Sequence, residues 1–336
     1  MALAPDPAAT ARGTGGRVAG LLGGGVDRVL DELVAPGFSE IGLAVRSRLP
    51  GWPDDPAPDA LDGHHVAVTG ASSGIGAATA AQLARLGAHV HLLVRNPDKA
   101  VPVAQALAGP STIWTCDVGD LDSVAALTDE LELAGVPLSA LVHNAGVMPP
   151  EREVSAQGHE LSLAVHVLGP TLMTQRLMPL LTSAQRPGRV ILVTSGGMYA
   201  QDLRLDDLGY REAPYRPATA YARSKRAQVE LLAPLQARWP AVVVAGMHPG
   251  WAATPGVTSS LPGFARLTGP VLRDPDGGAD TITWLAATAD PLPEGRLWHD
   301  RRPRPTTKLG RNGATPAERK TLAEWVFEAI APWLDS

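Results

Sequence analysis

The sequence predicts an α/β fold, in which one large domain forms a doubly wound parallel sheet behind an N-terminal helical leader. Short aliphatic runs alternate with amphipathic helical patterns through most of the chain. Each helical crossover must return the chain to the same sheet edge, so the strands run parallel with helices on both faces. The 336 residues are 45% apolar and 19% charged, which is enough for a large core.

The first 60 residues precede this domain and fall into two parts. Residues 1–25 are mostly Ala, Gly and Pro and predict disorder, because they bury too little apolar surface to offset chain entropy. Residues 26–60 predict an amphipathic helical leader and a linker, with Ser39 as a helix N-cap and three prolines between residues 51 and 63. Apolar residues recur in the leader at helical spacing: Phe38, Ile41, Val45, Leu49 and Trp52. The main domain is expected to cover residues 61–336.

The leader stripe has two possible destinations, and the sequence leaves both open. It can pack on the main domain, or residues 26–52 can lie in a membrane interface. Arg46 and Arg48 are placed on the polar side of the helix, where they would meet anionic head groups.

The domain itself reads as repeated strand and helix units. Strands are predicted at residues 65–69, 89–94, 112–116, 139–143, 189–194, 241–247 and 296–299. Helices are predicted at residues 75–86, 97–107, 121–133, 161–181, 221–239, 277–287 and 316–334.

Charge and cysteine content narrow the class of partner. A net charge of −5 gives no general attraction to phosphate backbones, which argues against nucleic acid. The single cysteine, Cys116, supports neither an internal disulfide nor a multi-cysteine zinc site. The longest apolar stretch, residues 161–181, is interrupted by His166, Gln175 and Arg176 and does not predict a membrane span. We therefore expect a cytoplasmic protein with a small-molecule ligand and no metal.

The first strand ends in a glycine-rich turn, TGASSGIG. Gly70, Gly74 and Gly76 lie where a helix begins, with Ser72, Ser73 and Ile75 between them. Such a turn lets backbone N–H groups approach a pyrophosphate at the helix N-terminus. Taken alone, the pattern also fits an ordinary tight turn between a strand and a helix.

Two further motifs accompany this turn. Asn144, Ala145 and Gly146 follow the fourth strand, and Tyr221-x-x-x-Lys225 lies on a later helix. Together the three motifs resemble the short-chain dehydrogenase/reductase family over residues 61–304. The segments TSGGM, MHPGWAATPGV, LPGFARL, GADTITWLA and GRLWHDRRPRP resemble one branch of it, the dehydrogenase/reductase family member twelve. The resemblance implies a Rossmann-type fold, a nicotinamide cofactor and a catalytic domain.

The end of the second strand indicates which nicotinamide cofactor binds. Arg95 stands there, and no acidic residue occurs before Asp98. A guanidinium matches the ribose 2′-phosphate, so NADP(H) is favoured, although Arg95 can also be a solvated residue at a helix start. The resemblance makes Asp117, with Val118 beside it, the adenine contact, while a helix-cap role for Asp117 stays open.

Tyr221 and Lys225 are four residues apart and share a helix face. A nearby ammonium favours phenolate and would lower the pKa of Tyr221 from about 10. Tyr221 is thus the predicted acid/base. By resemblance, Lys225 also holds the nicotinamide ribose, and Ser195 donates to the substrate oxygen.

The strand near His248 leads into a loop that resembles the family's segment beside the nicotinamide ring, with Pro249, Gly250 and Thr254 as contacts. His166 departs from the family, which usually has Asn there. Imidazole can hold a water or pass a proton, but a core-filling role is open as well. His143 is expected to be structural.

These residues predict an NADP(H)-dependent oxidoreductase that moves hydride between nicotinamide and a carbonyl or alcohol carbon of a small apolar substrate. The alternative is a cofactor-binding regulatory protein of the same fold with weakened turnover. By resemblance, a homodimer would pair through the long helices at residues 161–181 and 221–239.

Overall fold

The computed structural model describes residues 24–184, 186–212, 214–252, 272–308 and 313–334. In these ranges one eight-stranded sheet has the order β3-β2-β1-β4-β5-β6-β7-β8. The strands are β1 His65–Thr69, β2 His89–Val94, β3 Ser111–Thr115, β4 Leu138–His143, β5 Arg189–Val193, β6 Val243–Met247, β7 Arg296–His299 and β8 Arg302–Arg304. Neighbouring strands pair in parallel except β7 and β8, which are antiparallel. The predicted doubly wound α/β fold is confirmed, and the sequence missed only β8 among these strands.

Helices connect the strands and cover both faces. Besides a helical stretch at residues 24–32, they are α1 Val34–Phe38, α2 Glu40–Arg46, α3 Gly74–Arg85, α4 Pro97–Ala106, α5 Leu121–Ala134, α6 Leu161–Leu163, α7 Gly169–Arg176, α8 Met178–Thr182, α9 Pro217–Glu230, α10 Leu232–Arg238, α11 Pro275–Ala287 and α12 Pro316–Ile330. A π-helical turn, Ala164–Leu168, joins α6 to α7. Within the described ranges, short 3₁₀ segments occupy Gly196–Ala200, Leu205–Asp207 and Ala331–Trp333.

Prolines divide the two long predicted helices. Pro234 has no N–H to give the carbonyl of Glu230, and α9 ends at that residue before α10 begins. Pro170 likewise cannot donate to the carbonyl of His166, and the side-chain Nε2 of Gln228 donates to this oxygen instead at 3.0 Å. The His166 carbonyl therefore keeps a hydrogen-bond donor although Pro170 removes the helical one.

Two apolar layers lie on opposite faces of the sheet. Val66 and Val68 of β1 pack on one face with Leu83 of α3 and Leu285 of α11. Ala67, which points the other way, belongs to the layer that contains residues of α5, α7 and α10. All six residues of β4 are buried, as a strand covered on both faces requires.

The leader lies against the main domain. Phe38, at the end of α1, is fully buried and its ring contacts His248 and His299 edge-on, with centroids 4.5 and 5.2 Å apart. The Phe38 carbonyl also accepts a hydrogen bond from the backbone N–H of Trp251 at 2.7 Å. The sequence left two destinations open for the leader, and in the described structure the leader docks on the domain.

The buried face of the leader differs from the predicted stripe. Ile41 is 55% exposed and Val45 is 37% exposed, whereas Arg46 is only 1% exposed. The prediction that Arg46 lies on the solvent side was wrong, because carboxylates of the main domain and of the leader itself surround its guanidinium. Ser39 is the N-cap of α2 as expected, but its hydroxyl donates to the Pro36 carbonyl rather than capping the helix.

We call the buried ionic group that holds the leader the leader cluster; it consists of Asp27, Arg46, Arg273, Asp300 and Arg304. Arg46 Nη1 and Arg273 Nη1 each lie 2.6 Å from a carboxylate oxygen of Asp300. Arg46 Nε and Arg304 Nη2 bind Asp27 Oδ1 at 2.9 and 2.8 Å. Leader and domain are thus joined by carboxylates that each bind at least two guanidinium groups.

The hairpin between β7 and β8 presents Asp300 to this cluster. Asp300 and Arg301 have φ angles of +52° and +53°, the arrangement of a two-residue turn that matches strand twist. A short polar side chain such as Asp tolerates this conformation better than a bulky one.

The remaining predictions about the ends of the chain have mixed outcomes. Residues 1–23 of the segment expected to be disordered lie outside the described residues, and residues 24–32 are helical. The linker at residues 51–63 runs along the domain, where the Asp54 carbonyl accepts from the indole N–H of Trp284 at 3.1 Å. Among the described segments, no helix has the length and apolar character needed to cross a bilayer.

Candidate active site

The glycine-rich turn packs directly against the end of β4. Gly70 has φ +67°, and a Cβ on it would lie 2.9 Å from the Cα of Ala145. A Cβ on Gly76 would lie 2.4 Å from the Gly70 carbonyl oxygen. Any side chain at either position would push the turn away from β4, so both glycines are required for this approach.

A residue that the sequence analysis missed, Thr69, fastens the turn to β4. Its hydroxyl oxygen accepts from the backbone N–H groups of Asn144 and Ala145, both at 2.9 Å. The Asn144 amide in turn donates to the Thr69 carbonyl at 3.0 Å. Asn144 therefore holds the ends of β1 and β4 together. The position of Thr69, directly before the first glycine of the motif, is the sequence signal that could have identified it.

The turn leads into an uncapped helix N-terminus. Ser73 occupies the N-cap position of α3, but its side chain makes no capping hydrogen bond. Ser73 is exposed, and Ser72 and Ile75 are half-buried. The first N–H groups of α3 are thus left to an external acceptor, and a pyrophosphate fits that donor set.

Arg95 and Asp117 lie side by side at the ends of β2 and β3. Arg95 Nη1 is 3.8 Å from Asp117 Oδ2, and the Arg95 side chain is 74% exposed. The other carboxylate oxygen of Asp117 accepts from the Gly119 N–H at 2.9 Å, which fixes the turn that follows β3. Val118 is buried against Gly169. The guanidinium is therefore open to solvent and held only weakly by protein.

Ser195 and Tyr221 meet at the same edge of the sheet. Ser195 lies two residues beyond β5, where its hydroxyl accepts from the Gly197 N–H at 3.3 Å. Tyr221 is half-buried on α9. Burial raises the pKa of the Tyr221 phenol above 10, and a hydrogen bond with Ser195 works in the opposite direction.

Lys225 lies one helical turn beyond Tyr221 and is 2% exposed. Its Nζ donates to the Val193 carbonyl at 2.7 Å and lies 5.8 Å from the Tyr221 ring centre. Burial lowers the pKa of Lys225 to about 7. In the protein chain without cofactor, burial therefore outweighs the lowering of the phenol pKa that was expected from Lys225.

His166 has both ring nitrogens engaged by protein groups. Nε2 accepts from the Val147 N–H at 3.1 Å, so the proton is on Nδ1, which donates to Ser224 Oγ at 2.8 Å. The ring packs edge-on against Tyr221 with centroids 5.1 Å apart. Burial, assisted by the Lys225 charge, keeps the pKa of His166 well below 6.5. The neutral imidazole thus links Gly146–Val147 to the helix of Tyr221.

His143 is a second buried imidazole near Lys225. Its Nε2 lies 2.7 Å from Thr174 Oγ1, and burial lowers its pKa to about 3. These contacts are those of a structural residue.

The loop after β6 rests on the leader. Gly250 has φ +76°, and a Cβ there would lie 2.5 Å from the Phe38 carbonyl oxygen. Arg273 Nη1 donates to the Pro249 carbonyl at 3.2 Å. Thr254 lies outside the described residues. A Cβ on Gly196, next to Ser195, would lie 2.7 Å from the Phe38 ring. The leader therefore packs directly against the backbone of the candidate site.

The structure brings most of the predicted residues to one edge of the sheet. The glycine-rich turn, Arg95, Asn144, Ser195 and Pro249 all lie at or just beyond the carboxyl ends of β1, β2, β4, β5 and β6. In an open parallel sheet this edge is where ligands bind. The arrangement suits a dinucleotide across the strand ends with a proton donor, Tyr221, beside it.

Comparison with known proteins agrees with this geometry. Residues 64–262 match the short chain dehydrogenase family. The chain is 37% identical over 289 residues to dehydrogenase/reductase SDR family member 12 from Bos taurus, covering 82% of this chain and 90% of that one. This similarity supports the branch resemblance seen in the sequence.

Two other similar proteins have informative descriptions. Retinol dehydrogenase 14 from Mus musculus is 32% identical over 256 residues, covering 69% of this chain and 76% of its own. The crystal structure of a metagenomic short-chain oxidoreductase in complex with NADP superposes with a TM-score of 0.52 at 27% identity, covering 68% of this chain and 93% of that one.

Proposed function

Because the chain belongs to the short-chain dehydrogenase family, we propose that it is an NADP(H)-dependent oxidoreductase that interconverts a carbonyl and an alcohol on a small apolar substrate. The observation that carries this proposal is the meeting of Ser195 and Tyr221, with Lys225 one turn away, beside an open helix N-terminus. A phenol and a hydroxyl placed together at the ligand edge favour a reaction over cofactor binding alone.

The cofactor assignment rests on three features of the chain. The N-terminus of α3 would hold the pyrophosphate, and Asp117 with Val118 would border the adenine. Arg95 would bind the 2′-phosphate, since its guanidinium is 74% exposed and its carboxylate neighbour is as far as 3.8 Å away. The NADP complex of a structural relative supports the same choice.

When bound, NADPH supplies the hydride that reduces a carbonyl carbon. Tyr221 donates its proton to the substrate oxygen, and Ser195 donates a hydrogen bond to the same oxygen as its negative charge grows. The Lys225 ammonium, held by the Val193 carbonyl, favours the phenolate that remains. Pro249 and Gly250 would border the nicotinamide, and His166 keeps the backbone of Val147 in place through its hydrogen bond.

Two considerations support the proposed substrate class, one from the chemistry of the site and one from a relative. A site that donates from a phenol and a hydroxyl suits a carbonyl or alcohol oxygen. The relative named retinol dehydrogenase has an apolar alcohol in its name, which supports an apolar substrate here.

Replacing Tyr221 by Phe tests the reaction. We expect loss of turnover by at least a hundredfold against a panel of apolar aldehydes and ketones with NADPH, because the proton donor is gone. NADPH affinity, followed by Trp fluorescence, should stay within about twofold since the ring remains. Retained turnover in this variant would remove Tyr221 from the mechanism. A wild-type protein that binds NADPH and turns over nothing would instead favour the regulatory alternative.

Replacing Arg95 by Asp tests the cofactor. Wild type should bind NADPH about tenfold or more tightly than NADH, and the variant should reverse this order because a carboxylate accepts from the ribose hydroxyl and repels phosphate. The conservative Arg95→Lys variant should keep part of the preference. Equal affinity of wild type for both cofactors would contradict the role of Arg95.

A further inference from the structure

Three histidines lie together near the amino ends of β1 and β2, whereas the candidate active site lies at the carboxyl ends of the strands. His65 and His89 are the first residues of β1 and β2 and are directly paired in the sheet, and His91 lies two residues further along β2. Side chains of residues i and i+2 share a face of a strand, so all three rings project from the same face. One ring nitrogen of each lies within 4.8 Å of one ring nitrogen of the others.

We propose that His65, His89 and His91 form a binding site for a zinc-type divalent metal ion, which nothing in the dehydrogenase chemistry uses. A His-x-His pair on one strand with a third His on its neighbour places three imidazoles together on one face, and three imidazoles plus a water satisfy tetrahedral Zn²⁺. Bonds of about 2.0–2.1 Å would place the nitrogens about 3.4 Å apart. Binding would require the stacked rings to rotate until nitrogens that now lie within 4.8 Å of one another reach that spacing.

The access and packing of the rings suit an ion from solvent. His65 and His89 are half-buried and His91 is buried. An ion could therefore reach the first two rings from solvent, while the third ring is held by the packing around it. The rings are stacked, with centroids 4.8 Å apart for His65 and His89 and 4.8 Å apart for His89 and His91. His89 Nε2 lies 2.9 Å from the Thr112 hydroxyl, a contact that an ion bound at this nitrogen would replace. His65 Nδ1 and His91 Nε2 already face each other at 3.0 Å.

Hydrogen bonds show that two of the rings are neutral and where their protons lie. The Trp114 indole N–H donates to His91 Nδ1 at 2.9 Å, so the proton of His91 is on Nε2. That proton points to His65 Nδ1, which must accept it. The ion would therefore take the place of this shared proton.

This arrangement also assigns a role to Trp114. For His91 Nε2 to bind an ion, its proton must move through solvent to Nδ1, and the bond from Trp114 must then break. The indole thus opposes metal binding and lowers the affinity of the three histidines for the ion. Without it, the tautomer that binds metal meets no competing donor.

The test is Zn²⁺ titration by calorimetry on the full chain carrying no histidine tag. We expect one ion per chain, binding at least tenfold more weakly in His65→Gln and in His89→Gln. His64→Gln is the matched control, because His64 is adjacent but bonds to Ser139 outside the cluster; its affinity should be that of wild type. Trp114→Phe should bind several-fold more tightly. Far-UV circular dichroism of each variant checks that the fold is intact.

Two results would overturn the proposal. One is the absence of stoichiometric Zn²⁺ binding to the wild type and to Trp114→Phe. The other is binding that His89→Gln leaves unchanged or that His64→Gln weakens equally. Because none of these variants touches the glycine-rich turn or Tyr221, NADPH turnover is a separate measurement, and failure of either proposal leaves the other standing.

Discussion

Two clusters in this molecule contain buried cations, and they hold their charge differently. In the leader cluster, Arg46 and Arg273 both bind Asp300, and all three side chains are at most 1% exposed. In the active-site cluster, which consists of Ser195, Tyr221, Lys225 and His166, the lysine bonds to the Val193 carbonyl. No ion pair among the described residues involves Lys225.

The pKa values follow this difference in partners. Burial works against the charged form of Asp300, yet Arg273 and Arg46 hold its pKa below the ordinary value. Lys225 has the same burial without a carboxylate, and its pKa falls to about 7. A paired charge is fixed and joins two segments, whereas an unpaired one can change its protonation near neutral pH. The leader cluster is thus suited to structure and the active-site cluster to chemistry.

Asp300→Asn should have the largest effect on stability. It leaves Arg46 and Arg273 buried without their common carboxylate, and breaking such a buried pair costs about 3–5 kcal/mol. Urea unfolding at pH 7 measures the loss. Asp206→Asn, in the exposed pair with Arg204, is the control and should unfold like wild type. If both variants lose the same small amount, the leader cluster does not hold the leader.

The strands could be predicted from local sequence, whereas the contacts of the leader cluster could not. The strand bounds of β1, β2 and β7 were predicted to the residue, because aliphatic runs between turn residues depend on local sequence. Arg46 was placed on the wrong side because its partner Asp300 is 254 residues away, and no local pattern reveals such a contact. Helical spacing identified an amphipathic segment without showing which face the domain would cover.

The candidate site was more predictable than the leader, and for a physical reason. Its residues lie in short motifs at strand ends, and a parallel sheet brings strand ends together. The motifs could not show the acidity of Tyr221 or the hydrogen bonds of His166, since both depend on burial and on groups from other elements. The three clustered histidines were missed because the spacing His89-x-His91 gains meaning only when β1 adds His65.

Lys225→Met should stabilise the protein while abolishing turnover. The folded pKa of about 7 lies below the ordinary 10.5, so between these values the unfolded chain binds a proton that the folded chain does not. Wild-type stability therefore rises with pH across that window. The variant should gain about 1–3 kcal/mol at pH 6, after the lost hydrogen bonds, and the gain should shrink towards pH 10. Urea unfolding at several pH values measures it; a gain independent of pH would mean that Lys225 is not titrating in the fold.

His166→Asn should have the smallest effect and separates a positioning role from proton transfer. Asparagine can still accept from the Val147 N–H and donate to Ser224, as the imidazole does now. We expect turnover within about fivefold of wild type and a loss of about 1 kcal/mol in stability from the smaller side chain. Because His166 is neutral throughout the working range, the pH profile of kcat should not move. His143→Asn, at the other buried imidazole near Lys225, is the matched control. A shifted pH profile in His166→Asn alone would show that this imidazole transfers a proton during turnover.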